Sequence, residues 1–244
     1  GLEKEYDLKL RGIDGGILKE HDSQGLVVRE IGRKEAMAGE NLKLTLDAGL
    51  QRKAYELLAG RKGAIIASEP GSGEILAIVS SPGFKPDQVA KFLDSQDFPL
   101  FDRAISGEYP PGSVFKVITG IAALEEGKVD ETTLIEDTGE IRVGPYRFGN
   151  WYFDQYGRKE GKLDIIRAYA RSNDIFFYKL GEALGMSMLA DWGKYFGLGE
   201  VTKIDLPGEA KGLMPDPDWK KRQINEAWYL GDTYISAIGQ GNIL

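Results

Sequence analysis

Two apolar, β-rich runs at 63–68 and 74–80 flank Pro70-Gly71-Ser72-Gly73, and this hairpin signal constrains the fold more than any other feature of the chain. An antiparallel pair early in the sequence, followed by long stretches of helical patterning, predicts an α+β domain with strands and helices segregated. Just upstream, 41–46 alternates apolar and polar residues and predicts a half-buried strand. Asp47 then caps a predicted helix to about Ala59, with Leu50, Ala54, Leu57 and Leu58 on one face and Gly60 as its stop. Helical patterning returns from Ser113 to Glu126 before Gly127, and over 163–184 before Gly185. Residues 1–40 are charged and glycine-rich, with turn signals at Gly15-Gly16 and Gly32, and read as short strands of an accessory segment. Residues 206–218, rich in Pro, Gly and Asp, read as a loop.

Composition removes several chemistries. The chain of 244 residues has 42% apolar and 28% charged residues, ordinary values for one large soluble domain or one domain plus an appendage. A net charge of −7 and a pI near 5.0 give no support for nucleic-acid binding, which usually shows a basic patch. There are no cysteines and a single histidine, so thiol catalysis, disulfide frameworks and Cys/His zinc sites are excluded together. His21 sits in Lys19-Glu20-His21-Asp22-Ser23, which reads as a solvated turn and not as the base of a triad. Any acyl transfer must therefore recruit a lysine or a carboxylate as base. Cysteine-free composition fits an oxidising cell envelope. No apolar run approaches the roughly 20 residues that span a bilayer. The chain opens Gly1-Leu2-Glu3, with neither Met nor a signal pattern, so the natural N-terminus and any anchor are expected outside it.

The segment Tyr109-Pro110-Pro111-Gly112-Ser113-Val114-Phe115-Lys116 carries the chemistry. The two prolines impose an extended approach, and Gly112 permits a sharp turn into a helix. Ser113 then falls at a helix N-terminus, where free N–H groups and the dipole favour a developing oxyanion. Lys116, three residues on, shares its face. If that face is buried, desolvation lowers the lysine pKa until the neutral amine can take the serine proton. The competing reading is a serine cap followed by a surface lysine, and the bare spacing arises by chance about once in a chain this long. Ser113 is, however, the only serine followed by Lys at the third position, and it precedes the apolar run Val117-Ile118-Thr119-Gly120-Ile121-Ala122-Ala123-Leu124.

Tyr-Pro-Pro-Gly-Ser-x-x-Lys resembles the active-site motif of class B penicillin-binding proteins, the D,D-transpeptidases that cross-link peptidoglycan. The family carries a second motif, Ser-x-Asn, whose serine relays protons and whose amide binds the substrate backbone. The matching stretch is Ala170-Arg171-Ser172-Asn173-Asp174-Ile175-Phe176-Phe177-Tyr178. One register puts Asn173 in the Asn slot but Arg171 in the serine slot. The register adopted keeps the hydroxyl, reading Ser172-Asn173-Asp174 as the Ser-x-Asp variant of elongation-type members. Ser172 is then implied to be catalytic, and Asp174 takes the substrate-binding slot. A carboxylate accepts hydrogen bonds but cannot donate them like an amide, so Asp174 is also able to pair with Lys116 and hold its charge.

The resemblance extends beyond the motifs. Residues 39–47 are similar to the start of the transpeptidase domain, as is the turn Glu69-Pro70-Gly71-Ser72-Gly73-Glu74, and 1–15 resembles the end of the N-terminal pedestal domain. This places the pedestal/dimerisation segment at 1–40 and the penicillin-binding domain at 41–244. Trp228-Tyr229-Leu230-Gly231-Asp232-Thr233 and Ile238-Gly239-Gln240-Gly241 resemble the elongation-type branch, the penicillin-binding protein 2 group. The likeness implies a serine β-lactamase-like fold, an antiparallel sheet flanked by helices with a helical subdomain. It implies a protein of the inner membrane whose catalytic domain is periplasmic or otherwise extracytoplasmic. Its partners would be peptidoglycan stem peptides, β-lactams as covalent inhibitors, a membrane glycan polymerase and other elongation-complex proteins, with no nucleic acid and no cofactor. The family's third motif, Lys-Ser/Thr-Gly, is not in the sequence, and the C-terminal strands that carry it are expected to be missing with it. A serine β-lactamase or β-lactam sensor, and a catalytically silent cell-wall scaffold, are the rival functions this chemistry allows.

Overall fold

In the computed structural model, which describes Gly1–Leu244, backbone contacts divide the chain into two units: Gly1–Gly107 with Lys203–Glu209, and Glu108–Thr202 with Ala210–Leu244. The first unit opens with two single-turn helices, α1 (Leu2–Glu5) and α2 (Asp7–Leu10), and an antiparallel hairpin of β1 (Gly16–His21) and β2 (Val27–Lys34). The Asp22 side chain accepts from Gln24 N and Leu26 N and so closes the hairpin turn. Two expectations are corrected here. Gly32 lies inside β2 opposite Leu18, not in a turn, and His21 ends β1, exposed and paired with Val27.

Asp47 caps α3 (Ala48–Leu58) by accepting from Leu50 N at 2.7 Å, as its sequence position predicts. The buried face is nevertheless Gln51, Ala54 and Leu58, while Leu50 and Leu57 are exposed. The reason is the Gln51 amide. It donates to Ile78 O at 2.7 Å and accepts from Ile78 N at 2.8 Å, pairing like a strand with the edge of the second hairpin. That hairpin is β3 (Gly63–Ser68) with β4 (Ile75–Ser81), in the register Ala64↔Ser80 and Ile66↔Ile78. The strand expected at 41–46 does not form. The links near it are Thr45 Oγ1 to Ile75 O and Asp47 N to Leu76 O, too few to make a ladder. A small core of Ala54, Ala77, Val79 and Ile105 closes the unit, and Ser106 Oγ donates to Gly208 O at 2.7 Å to hold residues 203–209.

In the second unit a 3₁₀ turn, Gly112–Phe115, leads into α4 (Lys116–Glu125). There follow β5 (Ile135–Asp137), β6 (Glu140–Val143), β7 (Tyr146–Gly149), α5 (Trp151–Tyr156) and β8 (Gly161–Leu163). The strands pair as β5 with β8 and β6 with β7, both antiparallel. Each has three or four residues, too few to register as sequence alternation. The helix expected over 163–184 is instead two: α6 (Ile165–Arg171) and α7 (Asp174–Leu184). Ser172 takes a left-handed conformation (φ 48°), and its N–H and that of Asn173 bond back to Tyr169 O and Ala168 O. Asn173 then caps α7 by accepting from Phe176 N at 3.0 Å. The chain continues through α8 (Met186–Tyr195), α9 (Pro217–Gln223) and α10 (Leu230–Ala237). The predicted loop ends at Asp216, which accepts from Trp219 N and starts α9 with Pro217 in its first turn.

Helix α7 is the centre of this unit. Ile175, Phe176, Phe177, Leu180 and Leu184 are buried against Ala122 and Ala123 of α4, Leu189 of α8, and Tyr234 and Ala237 of α10. A Cβ on Gly181 would lie 2.6 Å from Ala237 Cβ, so glycine is what allows α7 and α10 to pack this closely. The α+β reading holds, with antiparallel strand pairs and a helical core. Because Leu180 is fully buried, Leu180→Ala should cost about 2–5 kcal/mol of stability. Urea unfolding would show this as a lowered midpoint with unchanged slope, and a wild-type midpoint would mean that α7 is not the core.

Candidate active site

Phe115 is buried and anchors the 3₁₀ turn, which leaves the preceding Ser113 side chain exposed at the surface. Gly112 N donates to Gly239 O at 2.8 Å, so the turn is tied to the segment following α10. Gly239 has φ +72°, and a Cβ there would come within 2.2 Å of Gly112 O and 2.6 Å of Phe115 Cβ. The Ile238-Gly239-Gln240-Gly241 stretch is thus the backing plate of the serine turn. Tyr169 supports the other side, donating from its hydroxyl to Lys116 O at 3.0 Å.

Lys116, the first residue of α4, is only 2% exposed. Its Nζ donates to Ser172 O at 2.8 Å, Ser172 Oγ at 3.0 Å and Asp174 Oδ1 at 2.7 Å, which occupies all three ammonium protons. The ammonium also lies 5.4 Å from the centre of the Phe177 ring. Ser172 Oγ is in turn 3.1 Å from Ser113 Oγ. The hydrogen-bonded path from Ser113 to Lys116 therefore runs through the Ser172 hydroxyl. Burial lowers the Lys116 pKa, and the Asp174 charge and hydrogen bond oppose that fall.

All four residues singled out from the sequence, Ser113, Lys116, Ser172 and Asp174, meet in this cluster. The break between α6 and α7 is what turns Ser172 and Asp174 toward Lys116 together. Both Asp174 oxygens are engaged, Oδ1 by Lys116 and Oδ2 by Trp151 N at 3.1 Å. His21 belongs to the first unit and Lys116 is the buried cation of the site. Sequence reading missed Asn150, between β7 and α5, and Trp151, the first residue of α5, which both reach Asp174. The signal available was thin: Gly149-Asn150 before Trp151-Tyr152-Phe153 marks a capped helix start but not its neighbour in space.

Residues 63–243 match the penicillin binding protein transpeptidase domain. The chain belongs to this transpeptidase family. Residues 1–44 match the penicillin-binding protein dimerisation domain. Among curated relatives of this family member, the peptidoglycan D,D-transpeptidase MrdA of Acinetobacter baumannii is 38% identical over 99% of the chain and 37% of its own length. The MrdA of Escherichia coli K12 is 34% identical over 99% of the chain and 39% of its own length. The chain thus spans well under half of the relatives it matches. Its fold is similar to that of PBP2 of Helicobacter pylori in complex with MreC, with a TM-score of 0.85 and 32% identity, covering 100% of this chain and 47% of that one. It is also similar to Pseudomonas aeruginosa PBP2 in complex with WCK 5153, with a TM-score of 0.76 and 37% identity over 86% of this chain and 48% of that one.

Two outcomes follow for a transpeptidase-family site of this geometry. If Ser113 is the nucleophile and Lys116 its base, reaction with a penicillin should rise with pH as Lys116 loses its proton. Asp174→Asn removes the charge that raises the Lys116 pKa, so the acid limb of that profile should move to lower pH. An acid limb that stays in place or moves upward would contradict the assignment. Gly239→Ala should displace the Gly112–Phe115 turn and slow Ser113 acylation by roughly tenfold or more, since small misplacements of a nucleophile are costly. Wild-type acylation kinetics in that variant would remove the backing role.

Proposed function

We propose that the chain supplies the acylating half of the active site of an elongation-type peptidoglycan D,D-transpeptidase. In this reading 1–40 is the end of the pedestal and 41–244 the penicillin-binding region. The observation that carries it is the hydrogen-bonded line from exposed Ser113 through Ser172 to buried Lys116, in a chain that belongs to the transpeptidase family.

The protons move as follows. With Lys116 neutral, Ser172 donates to Nζ and Ser113 donates to Ser172, the reverse of the direction set by a charged ammonium. Ser113 Oγ attacks the carbonyl between the terminal D-alanines of a stem peptide, and its proton passes through Ser172 to Lys116. The C–N bond then breaks, and the terminal D-alanine leaves with a proton returned from Lys116 by way of Ser172. An amine of a neighbouring stem peptide attacks the Ser113 ester and gives its proton to Lys116 through Ser172; the ester C–O bond breaks, Ser113 Oγ takes that proton back, and the new amide is the cross-link. Asp174 acts on Lys116 and not on the substrate, because both of its oxygens are already engaged. Its charge steadies the ammonium that forms in each proton transfer. A penicillin is attacked in the same way, its strained amide opening onto Ser113.

The family's Lys-Ser/Thr-Gly element, expected to hold the substrate carboxylate, does not occur in the sequence. No helix of the chain is long and apolar enough to cross a membrane. Similarity to PBP2 of Helicobacter pylori in complex with MreC, and to a peptidoglycan synthase complex that coordinates polymerization and crosslinking, supports partners of the elongation machinery and a glycan polymerase. The test is labelling with fluorescent penicillin. The full-length protein should acquire a stable label that Ser113→Ala abolishes. Rapid loss of label would replace this reading with a β-lactamase, and an unlabelled intact protein would replace it with a silent scaffold.

A further inference from the structure

Asp174 is held from behind by a polar layer that the acylation chemistry does not use. Asn150 is fully buried, between β7 and α5, and its side chain makes two opposite bonds. Its Oδ1 accepts from the backbone N–H of Asp174 at 3.2 Å, and its Nδ2 donates to Asp137 Oδ2 at 3.0 Å. Asp137, 2% exposed at the end of β5, also accepts from Gly139 N at 2.8 Å and from Glu160 N at 3.0 Å. The next residue, Trp151, returns the contact: its N–H donates to Asp174 Oδ2 at 3.1 Å, and its indole N–H donates to Arg171 O at 3.0 Å.

Residues 150 and 151 grip Asp174 by its N–H and by the carboxylate oxygen that faces away from Lys116. Holding that oxygen orients the carboxylate, whose other oxygen sits 2.7 Å from Lys116 Nζ. A buried donor-and-acceptor pair of this kind needs a side chain that accepts at one atom and donates at the other without charge, and an amide does both. A carboxylate at 150 would keep the bond from Asp174 N but meet the Asp137 carboxylate with no proton between them; an apolar residue would leave the buried Asp174 N unpaired and take one of its three donors from Asp137, which is costly.

We propose that Asn150, seated on Asp137, is a positioning residue for Ser113 acylation that acts by setting the Asp174 carboxylate against Lys116. The proposal rests on the transpeptidase reading above. It assigns a role in the reaction to the small strand layer β5–β8, which otherwise looks like decoration on the helical core.

Stopped-flow acylation of the full-length protein by a fluorescent penicillin, over a range of probe concentrations, tests it. Asn150→Ala and the isosteric Asn150→Asp should each lower the acylation rate constant by roughly ten- to a hundredfold while leaving the dissociation constant of the pre-acylation complex unchanged. The near-UV circular dichroism of both should remain native-like, and should Asn150→Ala not fold, Asn150→Asp carries the test. In an Asp174→Ala background, adding Asn150→Ala should change the rate constant by less than about twofold, because the group it positions is gone. Acylation at the wild-type rate in a folded Asn150 variant, or a full additional loss in the Asp174→Ala background, overturns the proposal. A wild-type protein that takes no label at all would instead defeat the transpeptidase reading itself.

Discussion

Lys116 is a buried cation, and the second unit is arranged around satisfying it. Removing an ammonium from water costs on the order of several kcal/mol even after relaxation, so such a group persists only where acceptors and an opposite charge surround it. Here the carbonyl and hydroxyl of Ser172 and the carboxylate of Asp174 provide them, with the Phe177 ring alongside. Burial and pairing act in opposite directions on the lysine, one favouring the free amine and the other the ammonium. In the proposed reaction Lys116 accepts and returns a proton within one cycle, and these opposed influences act on both of those transfers.

The acceptors reach Lys116 because the polypeptide breaks between α6 and α7. A continuous helix over 163–184 would put Ser172 and Asp174 at two-residue spacing, roughly 200° apart around the axis, and could not direct both at one nitrogen. The left-handed Ser172 and the Asn173 cap end one helix and restart the next. The break places the Ser172 carbonyl and hydroxyl and the Asp174 side chain around the same point. Conformational strain at a non-glycine residue is tolerated there because bonds from Ser172 N, Asn173 N and Lys116 all hold it. The segments that support the arrangement come from far along the chain: Gly239 behind the serine turn, Tyr169 beneath α4, and Asn150 and Trp151 behind Asp174.

The polar layer of Asp137 and Asn150 follows the same rule one step further out. Each member is buried, and each is matched donor to acceptor. Such networks rigidify a core when complete and weaken it when one member is lost. The layer is not complete everywhere: Glu160 Oε1 pairs with Arg171, while Glu160 Oε2 and Asn173 Nδ2 are buried without a partner.

Local chemistry was enough to read much of this from the chain alone. Pro110, Pro111 and Gly112 announce the turn before Ser113, Asp47 announces its helix, and Pro70-Gly71-Ser72-Gly73 announces the hairpin, because each acts on its own backbone within a few residues. The Ser-x-x-Lys and Ser-x-Asp spacings, with no cysteine and one exposed histidine, left a serine–lysine chemistry as the coherent choice. What the sequence did not carry is anything set by distant neighbours. Residues 163–184 read as one helix, yet Asn173 caps a second one locally, and the packing of α7 into the core and the bonds to Lys116 hold the break there. Gln51 displaced Leu50 and Leu57 from the buried face of α3 because a strand edge needed an amide. Asn150 reads as an ordinary helix cap until Asp174 is brought against it from 24 residues away. Sequence determined which groups could do the chemistry; tertiary structure decided which of them touch, because a buried charge selects its partners by distance and not by order along the chain.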